Sequence, residues 1–306
     1  MNFLKKIFIK HKMRNLNLPE IPIDGNFIDY HNYSQDILKI LKKNYGEIPF
    51  YTQISQNDPE KSMVFYRARK AKEILNQNII SEYSFPPTVF CKKALRANLP
   101  FHPVFYATNN AMTAVFETLQ DKNFEGQMLA VSRWIMKDTD PFFIAPFLFN
   151  NLSNNHPWAK MVLHHKTKGL LDAGVGRDKI KQTVFLLEEL TNLFYKDSDY
   201  KISSSIAHNF LYSTQRDLNC DVFIYPSIQA YGENVNFAVH PNFVINRLFI
   251  DKIYIIELGG FNPKTQSLNL RLHAIGKLNN NRLLLWQNGD FKADDYNDYK
   301  QYFNII

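Results

Sequence analysis

The sequence of 306 residues contains only two cysteines, Cys91 and Cys220, far apart and without the paired spacing that a zinc site needs. Both are expected as reduced, buried thiols. No stretch approaches the length of a membrane span, and the apolar Phe3, Leu4, Ile7, Phe8 and Ile9 are too interrupted by charge to form a secretory h-region. Internal repeats and low-complexity tracts are absent too. No G-x-G-x-x-G, Walker A, H-E-x-x-H or G-x-S-x-G string occurs, so several common enzyme classes lack motif support. What these absences leave is a soluble, cytoplasmic globular protein with no membrane span.

What is present is aromatic and apolar. Apolar residues make up 45% of the chain, and 25 Phe and 16 Tyr bring the aromatic share to 14%, which predicts a dense core and a mixed fold. The formal charge of +7 would suit an anionic partner, but Lys5, Lys6, Lys10, Lys12 and Arg14 concentrate five positive charges in the first fourteen residues. Two readings stay open for that terminus: a solvated, frayed end or a membrane-surface helix. Basic residues interleaved with stacked aromatics, as in nucleic-acid grooves, are not evident beyond it, so no direct nucleic-acid partner is expected. His156, His164 and His165 have no carboxylate or further His completing a ligand spacing, and no metal site is expected.

Along the chain, residues 1–60 read as an accessory segment punctuated by Pro19, Pro22, Pro49 and Pro59. It carries one amphipathic helix over Ser34–Asn44 with a stripe of Ile37, Leu38, Ile40 and Leu41. The main domain is placed at 61–258. VFYRAR reads as its first strand; a short strand in PVFYAT then leads through Asn109 and Asn110, as capping candidates, into a helix. In that helix Met112, Val115, Phe116 and Leu119 form one stripe. At about 100° per residue Glu117 lies off it, on the flank shared with Asn110 and Thr113, facing solvent or a cleft.

QMLAVSRWIM predicts another strand, followed by a loop-rich stretch over 137–178 and a helix over Asp178–Lys196 carrying Ile180, Val184, Leu187 and Leu190 inward. A helix from Ser204 to about Leu218 precedes strand-like runs in CDVFIYPS, YGENVNFAVHP and KIYIIEL. Residues 259–306 are read as an extension packed on the main domain, in which LNLRLHAIGKL and RLLLWQ form a hairpin. Helices do not alternate regularly with strands, so the expected class is α+β with a mainly antiparallel sheet, an extra N-terminal helical segment and a C-terminal hairpin.

Taken singly, the polar candidates have ordinary readings. Glu117 is an exposed helix charge, Arg67 a strand-edge residue, Tyr106 a core aromatic, and YPS a turn after a strand. Their ordered combination says more. FYRAR, then LRANLPFHPVFYATNNAMTAVFE, then IYPSIQAYGENVNFA resemble in order and context the three signature regions of the RES domain, a family named for an Arg, a Glu and a Ser. On this resemblance, which runs from about Met63 to about Asp251, Arg67, Glu117 and Ser227 are the family residues and Tyr106 belongs to the same catalytic group. Arg96 and Asn98 fall where many members carry Gly-Arg-Trp-Asn, here with Leu95 and Ala97 in place of Gly and Trp. A longer segment over 135–200 also departs from the small members.

The resemblance implies an ADP-ribosyltransferase-like fold, NAD⁺ as substrate rather than cofactor, and a toxin guarded by a cognate antitoxin that plugs the cleft. The activity it implies is cleavage of the nicotinamide–ribose bond by a glycohydrolase or phosphorylase. Protein mono-ADP-ribosylation and a non-catalytic nucleotide-binding module stand as alternatives, and a homodimer stays open. The residue types suit the chemistry. A carboxylate such as Glu117 stabilises the oxocarbenium character that builds on the ribose, and the planar guanidinium forks of Arg67 and Arg96 match pyrophosphate oxygens. Tyr106 offers a stacking face for nicotinamide or ribose. Ser227 offers a hydrogen bond to ribose or phosphate and is not read as a nucleophile, because no local His or Lys would activate it. Asn98 and Asn234 are assigned to NAD binding, with Asn234 and Asn236 each able to cap the following strand or to reach the ligand.

Overall fold

A computed structural model describes residues 16–46, 53–55, 63–119, 125–147, 158, 164, 168–172, 174–213, 219–227, 234–262, 267–279 and 283–303. The basic terminus, His156 and His165 lie outside them. The protein is α+β, built on one ten-stranded sheet in the order β1-β5-β6-β7-β3-β2-β4-β8-β9-β10. Its strands are β1 (Gln53–Ser55), β2 (Val64–Lys70), β3 (Phe105–Thr108), β4 (Met128–Met136), β5 (Phe142–Pro146), β6 (Val222–Pro226), β7 (Val235–Val239), β8 (Leu248–Asn262), β9 (Ser267–Leu278) and β10 (Leu284–Asn288). All neighbours pair antiparallel except β5 and β6.

The period-2 alternation of the strands separates two faces. Phe65, Phe105, Ala130, Trp134, Val222, Ile224, Phe237 and Ile253 point to one face and form a continuous apolar layer. Their neighbours point to the other face, where two separate clusters form. One joins Phe223, Tyr225 and Ala238 to α1 (Phe27–Tyr45), α3 (Ile180–Lys196) and α4 (Lys201–Leu211). The other joins Tyr66, Leu129, Val131, Tyr254 and Ile256 to α2 (Ala111–Leu119) and α6 (Ala293–Tyr302), while α5 (Pro241–Arg247) packs Phe243 and Val244 into the first layer. A seam is left between the two clusters.

Several expectations shift. Helix α1 starts at Phe27, not Ser34, with Asn26 as its cap: the Asn26 side chain accepts from the Ile28 and Asp29 amides while Asp29 accepts from the Asn26 amide, a reciprocal cap. Tyr30 and Tyr33 extend its buried face one turn earlier than the aliphatic stripe alone indicates. The stretch expected as loop contains β5, an interior strand too short and too Phe-rich to show alternation. Helix α4 starts earlier, at Lys201, and is described only to Leu211, since residues 214–218 lie outside the described set. The boundary placed after residue 258 falls inside β8; β9 and β10 continue the same sheet, and the unanticipated α6 joins the same cluster. Among the described residues no helix is long and apolar enough to cross a membrane. Cys91 and Cys220 are free and buried.

Helix α1 is tied to α4 by a histidine cluster. His31 Nδ1 lies 3.1 Å from His208 Nε2, and the His102 ring meets His208 edge-on at 4.4 Å. Burial, and to a smaller extent the neighbouring histidines, lower His102 to about 4 and His208 to about 2. The folded chain therefore holds both rings neutral while the unfolded chain protonates them from about pH 6.5 downward. Stability linked to these groups is complete above that pH and is lost as the pH falls, towards 4 for His102 and towards 2 for His208. The urea midpoint is expected to drop between pH 7.5 and 5, and to drop less in His102→Asn; equal midpoints at the two pH values would contradict the cluster's role.

Candidate active site

The seam becomes a cleft because β2 and β3 part company. Their ladder contains a single residue pair, Tyr66 with Thr108, after which the strands separate while β2 stays fully paired with β4. Cross-strand register then sets out the floor. Tyr66 lies opposite Thr108, Thr108 opposite Asn236, and Asn236 opposite Tyr225, one row across four strands with side chains on the same face. All four line a cleft of about 230 Å³, together with Arg67, Arg96, Tyr106, Glu117 and Tyr200.

Arg67 fills the gap between the parted strands. Its Nη1 donates to the Tyr106 carbonyl at 2.9 Å, a group left without a β2 partner where the ladder ends. The guanidinium lies 5.5 Å from the Phe105 ring centroid, and its Nε is buried with no hydrogen-bond partner. Among the described residues no carboxylate pairs with it. Burial, with Arg69 nearby, lowers its pKa to about 10, so at neutral pH it remains a cation with no ion-pair partner among the described residues. An anion in the cleft would supply the missing partner.

Glu117 is placed by α2. Thr108 Oγ1 accepts from the Asn110 amide, and Asn110 Oδ1 accepts from the Thr113 amide, so the helix starts as soon as β3 ends and Glu117 projects two turns later over the floor. Its Oε1 accepts from Ser227 Oγ at 2.6 Å and from Asn236 Nδ2 at 2.8 Å. Its Oε2 has no partner among the described residues, and Asn236 Oδ1 is buried and unsatisfied. The carboxylate is thus held by one oxygen with the other available. α2 is enclosed more fully than one stripe implies, since Thr113 and Ala114 are buried as well as Val115 and Leu119.

The rim is built by the loop before β3. The Tyr106 hydroxyl accepts from the Ala97 amide at 2.9 Å and donates to Asn98 Oδ1 at 2.8 Å, fixing the turn whose bridge joins Leu95 to Asn98. Arg96 Nη1 donates to the carbonyls of Phe194 at 2.6 Å and Tyr195 at 3.2 Å, at the C-terminal end of α3. Burial raises the hydroxyls of Tyr106 and Tyr225 well above their ordinary value, so both stay protonated.

Six of the residues singled out from sequence thus come to one place, each with its own task. Glu117, Arg67, Arg96 and Tyr106 line the cleft; Ser227 is fully buried behind Glu117, and its hydroxyl is spent on the carboxylate instead of reaching into the cleft. Asn98 is buried, donates to the carbonyls of Lys93 and Leu99, and braces Tyr106, so it is a strut and not a cleft residue. Asn234 does not line the cleft either; its carbonyl accepts from the Ser227 amide, and Asn236 is the asparagine at the site. Register decides this: Asn236 lies opposite Thr108 and Tyr225 in the floor row, whereas Asn234 precedes β7 and has no place in that row. Tyr66, Tyr200 and Tyr225 were not anticipated; the first and third adjoin FYRAR and YPS residues that were, and strand register could have found them. Among the described residues no cluster could hold a metal ion. No family model matches the chain, and a comparison with curated proteins finds no match.

Tyr106→Phe would leave the Ala97 amide and Asn98 Oδ1 without their partner. A loss of about 1–3 kcal/mol is expected, read from the urea midpoint. A midpoint unchanged from the parent chain would show that the hydroxyl does not brace this turn.

Proposed function

We propose that the protein is an NAD⁺-consuming enzyme that breaks the nicotinamide–ribose bond, and that its fold is ADP-ribosyltransferase-like as the RES resemblance implies. The observation that carries this reading is the Glu117 carboxylate, fixed through Oε1 by Ser227 and Asn236 with Oε2 unpartnered among the described residues, in a cleft that also holds Arg67, a cation with no carboxylate partner among those residues.

In this reading Glu117 Oε2 accepts a hydrogen bond from a ribose hydroxyl and stabilises the positive charge that builds as the C1′–N bond breaks. The bonding pair leaves with the pyridine nitrogen, giving neutral nicotinamide. Arg67 meets the pyrophosphate, whose charge answers its missing partner. The phenol rings of Tyr66, Tyr106 and Tyr225 present a flat apolar surface to ribose or base. Ser227 and Asn236 act through Glu117 as positioning residues. The acceptor at C1′ is water in a glycohydrolase, phosphate in a phosphorylase and a side chain in a protein mono-ADP-ribosyltransferase. A toxin of this kind would require a neutralising partner protein at the cleft mouth.

Incubation of the protein with NAD⁺, with and without inorganic phosphate, should release nicotinamide together with ADP-ribose or its phosphate ester. In Glu117→Gln the rate should fall by at least about 10²-fold, the scale of losing one preorganised electrostatic group. Ser227→Ala should cost less, about tenfold, because Asn236 still holds Oε1. Full activity in Glu117→Gln would sink the reading, and ADP-ribose appearing on protein instead of free in solution would assign the third acceptor.

A further inference from the structure

Tyr200 belongs to no sequence motif and has an unusual backbone. Its φ of 60° and ψ of 16° are left-handed, a conformation that bulky residues rarely adopt. It is held there on both sides. Asp197 Oδ2 accepts from the Ile202 and Ser203 amides and from Ser203 Oγ, starting α4 immediately after Tyr200. The Tyr200 carbonyl in turn accepts from the Ser204 amide and hydroxyl. The resulting direction sends the ring to the cleft, where it lines the rim beside Leu95 and Arg96.

Arg96 braces that ring. Its guanidinium carbon lies 5.3 Å from the Tyr200 centroid and 6.0 Å from that of Phe194, while its Nη1 is anchored on the α3 carbonyls. A strained residue held in place by surrounding contacts and aimed into a cleft indicates a function for the side chain. The neighbouring charge then selects among ligand groups. The pyridinium ring of NAD⁺ is cationic and is repelled by an arginine-braced surface, whereas adenine is neutral and stacks on both tyrosine and guanidinium planes.

We propose that Tyr200, braced by Arg96, is the platform on which the adenine end of NAD⁺ stacks, leaving the nicotinamide ribose to Glu117. The platform rests on the NAD⁺ reading above and adds an orientation to it. Tyr200 thereby becomes a specificity-determining residue contributed by the long segment over 135–200.

Equilibrium binding separates the two ideas, because it needs no turnover. In the Glu117→Gln chain, titration calorimetry with adenosine monophosphate should show affinity about 5- to 100-fold weaker on adding Tyr200→Leu and nearly retained with Tyr200→Phe. Nicotinamide mononucleotide should bind equally in all three. If Tyr200→Leu does not fold, Tyr200→Trp places a fluorophore at the same point, which adenosine monophosphate should quench and nicotinamide mononucleotide should not. Unchanged affinity for adenosine monophosphate in Tyr200→Leu, quenching by nicotinamide mononucleotide instead, or no binding of adenosine monophosphate at all would overturn the platform. Selective loss of adenosine monophosphate binding in a protein that releases no nicotinamide would uphold the platform and remove the reaction.

Discussion

The architecture depends on the place where β2 leaves β3. A sheet of ten strands that stayed paired throughout would present a closed surface, with every backbone group answered by a neighbour. Here the ladder ends after one residue pair, and the Arg67 guanidinium takes the carbonyl that the missing pairing would have satisfied. One side chain thus does two things. It closes the backbone account of a split sheet, and it leaves a buried cation, with an unpartnered Nε, at the bottom of the opening. Around that opening the two helical clusters keep their distance, because each packs on its own half of the sheet.

The geometry near Glu117 follows from the same split. With β3 free on one side, α2 can descend directly over the floor row, and Asn110 caps it without an intervening loop. Asn236 and Ser227 then approach one carboxylate oxygen from β7 and from the end of β6. One donor lies in a strand and the other directly follows one, and both are buried, so the carboxylate has little freedom to rotate. A positioned carboxylate with one open oxygen is a more demanding arrangement than an exposed helix glutamate, which is how Glu117 reads when taken alone.

Much of this was legible in the sequence where periodicity was strong. The strand in VFYRARK, the amphipathic run after Asn110 and the terminal hairpin all carried patterns that local physics converts into structure. β5 was not legible, because a five-residue interior strand flanked by proline shows no alternation. The choice between Asn234 and Asn236 could not be made from spacing alone, since it turns on the register of β7 against β3 and β6, a long-range property. Asn98 illustrates a different failure: its polarity suggests a ligand, but a buried hydroxyl eight residues on in Tyr106 claims it first. Tyr200 carried no local signal at all, its conformation being imposed by the Asp197 cap and by packing of α3 against α4.

The floor row also orders events in time. It is assembled from Tyr66, Thr108, Tyr225 and Asn236, so two of its four members are made late in synthesis, and the donors that hold Glu117 arrive only with them. The partner strand that covers β4 comes later still, with β8. A nascent chain that has emerged as far as α4 can form helices and the β2–β4 pair, yet it has neither the floor nor the grip on its carboxylate. The cleft therefore depends on chain made after α4, and a nascent chain that stops there has no such cleft.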